Sequence, residues 1–176
     1  MKRAVFLDRD GVINRAFVRD GKSYPPSTLE EVEILPNVAS ALSRLKLAGF
    51  LLIVVTNQPD VATGKTAKHE VDQINNHLTK MLPIDEFCVC YHSDSDACSC
   101  RKPMPGLLIA AAKKHQIDLK ASFMVGDRWR DVEAGGAAGC KTFFLNYGYR
   151  EKQPDYPDFI VSSLAGAAEI ILEEFS

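Results

Sequence analysis

Two aspartates one residue apart, Asp8 and Asp10, close the short apolar run Ala4-Val5-Phe6-Leu7 and are followed by Gly11. Alternate side chains of an extended strand share a face. The two carboxylates can therefore converge just past the strand's end, where the chain begins to turn. Carboxylates held that close repel each other, so a Mg²⁺ ion or a shared proton is expected between them. A solvated acidic turn would have the same composition, and the rest of the chain must decide between the two.

A second metal-competent group lies in mid-chain. Cys90-x-His92 and Cys98-x-Cys100 are separated by a short polar loop. One intervening residue lets both members of each pair face the same way, and the loop folds the pairs together. That predicts a Cys₃His set around one tetrahedral Zn²⁺. Four protein ligands leave no open position, so the zinc is expected to be structural. Cys88 shares the strand face of Cys90 and competes as a ligand; Cys90 is preferred because it is nearer the loop. Cys140 precedes an apolar strand and reads as a small core residue.

Arg101-Lys102-Pro103 follows the last of these cysteines directly. Arginine offers a planar fork for phosphate and lysine a point charge. Thr56-Asn57-Gln58 follows the apolar run Phe50–Val55, and the Thr56 hydroxyl and backbone N–H suit a phosphate oxygen. Gly126-Asp127 ends the run Ala121–Val125, making Asp127 a third metal carboxylate. Asp131 is either a further one or a favourable charge at a helix N-terminus. Thr63-Gly64-Lys65-Thr66 carries the tail of a phosphate-loop sequence, but Pro59 stands where the first glycine is required, so a nucleotide loop is rejected.

These groups need elements to hold them. Val38, Ala41, Leu42, Leu45 and Ala48 fall on one helical face, with Asn37 as cap and Gly49 as stop. Val71, Ile74, Leu78 and Met81 or Leu82 predict a helix over 67–81 capped by Thr66. His69 and His77 on it read as surface or packing residues. Phe87–His92, Lys141–Leu145 and Phe159–Val161 read as further strands. Helices are expected from Leu107 to about His115, over about 130–138, and from a Ser162 cap to about Phe175. Residues 11–36 carry Gly21, Pro25, Pro26 and Pro36 without periodicity, which predicts a loop or small hairpin overhanging the site. Alternating strands and helices imply a parallel sheet with right-handed crossovers. Its strand ends then lie along one edge, where open α/β sheets bind ligands.

The chain has 176 residues, 46% hydrophobic, with a formal net charge of −2. This suits one domain over residues 1–176, a Rossmann-like three-layer α/β/α sandwich with a mainly parallel sheet. There is no basic footprint for nucleic acid and no apolar stretch long enough for a membrane span. The apolar run behind Met1-Lys2-Arg3 is too short for a signal-peptide core. A cytoplasmic location is expected, and with it free rather than disulfide-bonded cysteines. A monomer is expected.

The ordered set Asp8-Arg9-Asp10-Gly11, Val55-Thr56-Asn57-Gln58, Lys102-Pro103 and Gly126-Asp127 resembles the four motifs of the haloacid dehalogenase superfamily of phosphatases, over nearly the whole chain. The short inserts after the first two motifs resemble its capless group. The zinc loop over 90–100 is similar to that of the heptose bisphosphate phosphatases and the related histidinol-phosphate phosphatases, of which the heptose family is favoured. The resemblance implies Asp8 as nucleophile, Asp10 as acid and base, and Thr56 and Lys102 on the phosphoryl oxygens. It implies Mg²⁺ on Asp8, Asp127 and the Asp10 carbonyl, and a small phosphorylated sugar as substrate. Asn57, Gln58 and Arg101 are expected to contact that substrate, Arg101 at a second phosphate. Those families commonly carry an arginine in the loop after Asn-Gln; here Pro59-Asp60-Val61-Ala62-Thr63-Gly64 has none. A phosphotransferase would need a lid against water, and a non-enzymatic module would not need the intact carboxylate set.

Overall fold

The computed structural model describes residues 1–175. Six parallel strands form one sheet in the order β5-β4-β1-β6-β7-β8. They are β1 (Ala4–Leu7), β4 (Leu51–Asn57), β5 (Glu86–Cys90), β6 (Phe123–Gly126), β7 (Lys141–Leu145) and β8 (Phe159–Val161). The helices are α1 (Val38–Leu47), α2 (Lys68–Met81), α3 (Gly106–His115), α4 (Trp129–Ala138) and α5 (Leu164–Glu174). The strand order reverses around β1, with β4 on one side and β6 on the other. A reversal of this kind opens a crevice at the strands' carboxyl ends.

The sheet is buried on both faces, which is why its strands read as continuous apolar runs. Val5 and Leu7 of β1, Leu52 and Val54 of β4, and Phe123 and Val125 of β6 join one core with residues of α1, α2 and α5. Ala4 and Phe6, Ile53 and Val55, and Met124 join the other with residues of α3 and α4. Cys140 lies in that second core, and Cys88 packs against it. Period-two alternation thus sets the three layers.

Three expected caps are not made as the sequence suggests. Asn37 sits at φ 63° with no side-chain cap bond. Thr66 is drawn into the preceding turn, its N–H donating to Asp60 O at 3.1 Å, and α2 starts one residue later than that cap would place it. Ser163, not Ser162, caps α5 by accepting from Gly166 N. Met81 is exposed and Leu82 takes the core position.

Residues 11–36 contain an antiparallel hairpin, β2 (Phe17–Arg19) with β3 (Lys22–Tyr24). Asp20 and Gly21 both take positive φ, as a two-residue hairpin turn requires. Arg150 N donates to Gly21 O at 2.8 Å, tying the hairpin to the segment after β7. Only ten residues, 58–67, separate β4 from α2, too few for a cap domain at this point. No helix among the described residues is long and apolar enough to cross a membrane.

Candidate active site

The carboxyl ends of β1, β4 and β6 meet the segment after Cys100 in a cleft of about 200 Å³. Its walls include Asp8, Asp10, Asn57, Arg101, Lys102 and Asp131, with Ser23 and Tyr24 of the hairpin and the following Pro25. The hairpin therefore does overhang the site.

Asp8 is buried just past β1, its backbone N–H bonded to Val125 O at 3.0 Å. Lys102, also buried, donates from Nζ to Asp8 Oδ1 at 2.9 Å and to Val55 O at 2.7 Å, and stands 2.6 Å from Asp131 Oδ1. All three ammonium donors are therefore occupied. Burial opposes the charge on Lys102, but the Asp131 and Asp8 carboxylates outweigh it and hold its pKa above the usual lysine value. Asp8 itself is pushed up to about 6, first by burial and then by the Asp131 charge, with Lys102 pulling the other way.

Asp131 does two things. It pairs with Lys102, and its other oxygen accepts from Arg128 N at 3.0 Å, capping the start of α4. A helix-start carboxylate and a lysine anchor are thus the same group.

Asp127 is fully enclosed. Tyr149 donates to its Oδ2 at 2.8 Å, while Oδ1 has no hydrogen-bond partner among the described residues. Gly11, at φ +86°, is what lets the chain pass: a Cβ there would sit 2.0 Å from Asp127 Oδ2. Burial first, and then the Asp8 and Asp131 charges, raise the Asp127 pKa well above the usual carboxylate range. Oxygens of Asp8, Asp127 and Asp131 lie within 4.8 Å of one another. Three buried, mutually repelling carboxylates with one orphaned oxygen fit a hard divalent cation, which takes oxygen ligands.

Asp10 is turned differently. Its carboxylate accepts from Arg9 Nε at 3.0 Å, Asn14 Nδ2 at 3.0 Å and Gln58 Nε2 at 2.8 Å. Arg9 is completely buried and also donates to Asn75 Oδ1 at 2.9 Å. It is not a phosphate ligand, as its position in the motif implies, but the main partner of Asp10. Gln58, expected at the substrate, is buried and bonded to Asp10 and to Thr56 Oγ1. Thr56 accepts that bond, so its own O–H remains available to a ligand oxygen. The Asn57 amide brackets Lys102, donating to its carbonyl at 3.0 Å and accepting from its N–H at 3.1 Å.

Sγ of Cys90, Cys98 and Cys100 and Nδ1 of His92 cluster beyond β5, with five separations between 3.2 and 3.7 Å. Ligands about 2.0–2.3 Å from a tetrahedral Zn²⁺ would stand about 3.3–3.8 Å apart. The donor set and spacing fit that ion. Cys88 is not among the four. Arg101 N donates to Cys98 Sγ at 3.3 Å, so the segment that carries Lys102 is anchored on the cluster.

Sequence patterns did not disclose Arg9, Asn14 or Tyr149. Tyr147-x-Tyr149 does lie just past the end of β7, and that position was the available signal.

Comparison with known proteins gives a consistent picture. A family model described as HAD-hydrolase-like matches residues 99–167. The D-glycero-beta-D-manno-heptose-1,7-bisphosphate 7-phosphatase of Helicobacter pylori strain J99 is 35% identical over 151 residues, covering 81% of this chain and 82% of that one. The enzyme of the same name from Bordetella bronchiseptica is 31% identical, covering 98% and 99%. The crystal structure of D,D-heptose 1,7-bisphosphate phosphatase from B. bronchiseptica with magnesium and phosphate superposes with a TM-score of 0.80 at 30% identity, over 99% of each chain.

Proposed function

Because this chain belongs to the haloacid dehalogenase superfamily, within the family of the D-glycero-D-manno-heptose-1,7-bisphosphate 7-phosphatases, we propose that it removes the C7 phosphate of that sugar in a Mg²⁺-dependent, two-step hydrolysis. It is a phosphoric monoester hydrolase. The observation that best supports the two-step reading is the separation of the two aspartates. Asp8 faces Lys102 and the carboxylate cluster, whereas Asp10 is held on the other side by Arg9, Asn14 and Gln58.

In this reading Asp8 Oδ attacks phosphorus and forms an aspartyl-phosphate as the sugar alkoxide leaves. Asp10 gives that alkoxide its proton, then takes one from the water that cleaves the phosphoenzyme. Thr56 donates to a phosphoryl oxygen, and Lys102 turns toward the phosphoryl group the donor it gives Asp8 Oδ1 as that carboxylate bonds phosphorus and negative charge shifts. Asp8, Asp127 and the Asp10 carbonyl would hold Mg²⁺, whose charge when bound offsets the carboxylate repulsion and neutralises the phosphate. Asn57 would serve the substrate through the Lys102 backbone that it fixes. Arg101 would meet the second phosphate. A cytoplasmic monomer acting on a sugar destined for a lipopolysaccharide precursor is the corresponding cellular reading.

The test is turnover with Mg²⁺ on heptose 1,7-bisphosphate, both anomers, beside histidinol phosphate and simple monophosphates. A kcat/KM preference for the heptose bisphosphate well above tenfold is expected. A comparable or higher rate on histidinol phosphate would overturn the substrate assignment.

Cys90, His92, Cys98 and Cys100 would hold Zn²⁺ as a structural ion. Its removal is expected to lower activity by about 100-fold, the scale that follows a misplacement of about 1 Å in a catalytic group, because Arg101 and Lys102 hang on that loop. The checks are metal content, thiol titration and phosphate release before and after chelation. Zinc-free protein with unchanged Tm and turnover would refute this role.

A further inference from the structure

The segment after β7 is tied to the site by a run of contacts. Tyr147 donates from its hydroxyl to the carbonyl of Gly11, the residue after Asp10, at 2.9 Å. Tyr149 donates to Asp127 Oδ2 at 2.8 Å. Arg150 N donates to Gly21 O in the hairpin turn at 2.8 Å. Glu151 pairs with Arg128 of the cleft wall, whose Nε stands 3.0 Å from each carboxylate oxygen. Residues 147–151 therefore form a strap joining the turn after β1, Asp127, the hairpin and the wall.

Tyr149 is firmly held within this strap. It is 8% exposed, its ring centroid lies 5.7 Å from that of Tyr147, and its carbonyl accepts from Gln153 Nε2 at 3.1 Å. The Ser23 side chain of β3 also approaches its hydroxyl. On the opposite side of that hydrogen bond, Gly11 comes so near to Asp127 Oδ2 that a Cβ would stand 2.0 Å away. Oδ2 is thus fixed between a hydroxyl and a backbone turn, and Oδ1 is the oxygen left without a partner among the described residues. The three buried carboxylates also differ in their partners. Asp8 and Asp131 both face the Lys102 ammonium. Asp127 is oriented by a neutral donor, so its whole charge remains for a cation.

We propose that Tyr149 is the positioning residue of the cation site: its hydroxyl fixes the Asp127 carboxylate, leaves Oδ1 for the ion, and so sets the affinity for Mg²⁺ without entering either chemical step. This rests on the assignment of Asp127 as a Mg²⁺ ligand above. A hydrogen bond to the far atom of a ligand group orients it for the metal. Without the hydroxyl, Oδ2 is a buried acceptor with no donor and the carboxylate is free to turn. Ordering it is then added to the cost of binding the ion.

The experiment measures Mg²⁺ binding by isothermal titration calorimetry on wild type, Tyr149→Phe, Tyr147→Phe and Asp127→Asn. Phosphate release from heptose 1,7-bisphosphate at rising Mg²⁺ is followed alongside, with Tm in Mg²⁺-free buffer as a folding control. Asp127→Asn tests the underlying reading: Mg²⁺ binding as tight as in wild type overturns Asp127 as a ligand, and the role of Tyr149 with it. Given weaker binding there, Tyr149→Phe is expected to raise the Mg²⁺ Kd by about 10- to 100-fold, while kcat at saturating Mg²⁺ stays within about threefold. Tyr147→Phe loses a hydrogen bond to a carbonyl in the same strap and should keep the wild-type Kd. An unchanged Kd in Tyr149→Phe overturns the positioning role alone. So does an equal rise in Tyr147→Phe, which would assign the effect to the strap as a whole. A loss of kcat that saturating Mg²⁺ leaves in place would mean that the hydroxyl serves the chemical step or the fold, and overturns the role in ion affinity.

Discussion

Asp8→Asn is expected to abolish phosphate release, by about 10⁴-fold or more, while the folded protein keeps or gains thermal stability in Mg²⁺-free buffer. The two halves of that result have the same origin. Asparagine cannot form the acyl-phosphate, so the covalent route closes. The Asp8 carboxylate is also an unfavourable charge in the folded state. Burial and Asp131 push its pKa up to about 6 against Lys102. A raised carboxyl pKa makes folding relatively less favourable above that value and relieves the cost as pH falls through it. Removing the charge removes the cost, and Lys102 still has Asp131 at 2.6 Å. Phosphate release and Tm, each with and without Mg²⁺, check both halves. Measurable turnover in Asp8→Asn would refute the nucleophile assignment. Asp10→Asn is the informative contrast. Loss of a positioned acid/base costs about 10²–10⁴-fold, and this variant should still accept phosphate on Asp8 and accumulate it.

The contrast between those aspartates also marks how far the sequence could be read. Asp8, Thr56 and Asp127 were legible because each ends an apolar run, and in a parallel sheet all such ends share one edge. The Cys90, His92, Cys98 and Cys100 cluster was legible because its members are neighbours in the chain, so period-two spacing suffices to bring each pair together. Arg9 was not, since nothing in Asp-Arg-Asp says that the middle side chain folds back onto the third residue and onto Asn75 of α2. Tyr149 reaches its partner through the order of β6 and β7, which no local pattern encodes. The caps failed for a related reason. Asn37 and Thr66 have the right side chains, but φ 63° at one and the Asp60 turn at the other leave them out of position. Asp131 was readable as either of two things, and its carboxylate caps α4 and pairs with Lys102 while standing within 4.8 Å of those of Asp8 and Asp127.

Lys102 carries the other large effect. It is buried with three acceptors, two of them carboxylates and the third the Val55 carbonyl. Lys102→Met keeps most of the volume and removes every donor. Breaking one side of a buried ion pair costs about 3–5 kcal/mol, because the charge left behind has no compensation. For a chain of this size that lowers Tm by about 6–20 °C. The loss should shrink as pH falls. Without the ammonium the Asp8 pKa rises further above its present value, so the penalty is full above that pKa and fades as the carboxyl protonates. Turnover should drop by about 10²–10³-fold, the scale for a lost electrostatic donor at a developing charge. Lys102→Met with Asp131→Asn separates the two effects. Neutralising the second carboxylate should recover much of the Tm, since one of the two stranded charges is gone, yet it returns no donor to the phosphoryl oxygens. Thermal melts at two pH values, with kcat alongside, read this out. Recovery of kcat in step with Tm would mean that Lys102 serves the fold and not the reaction.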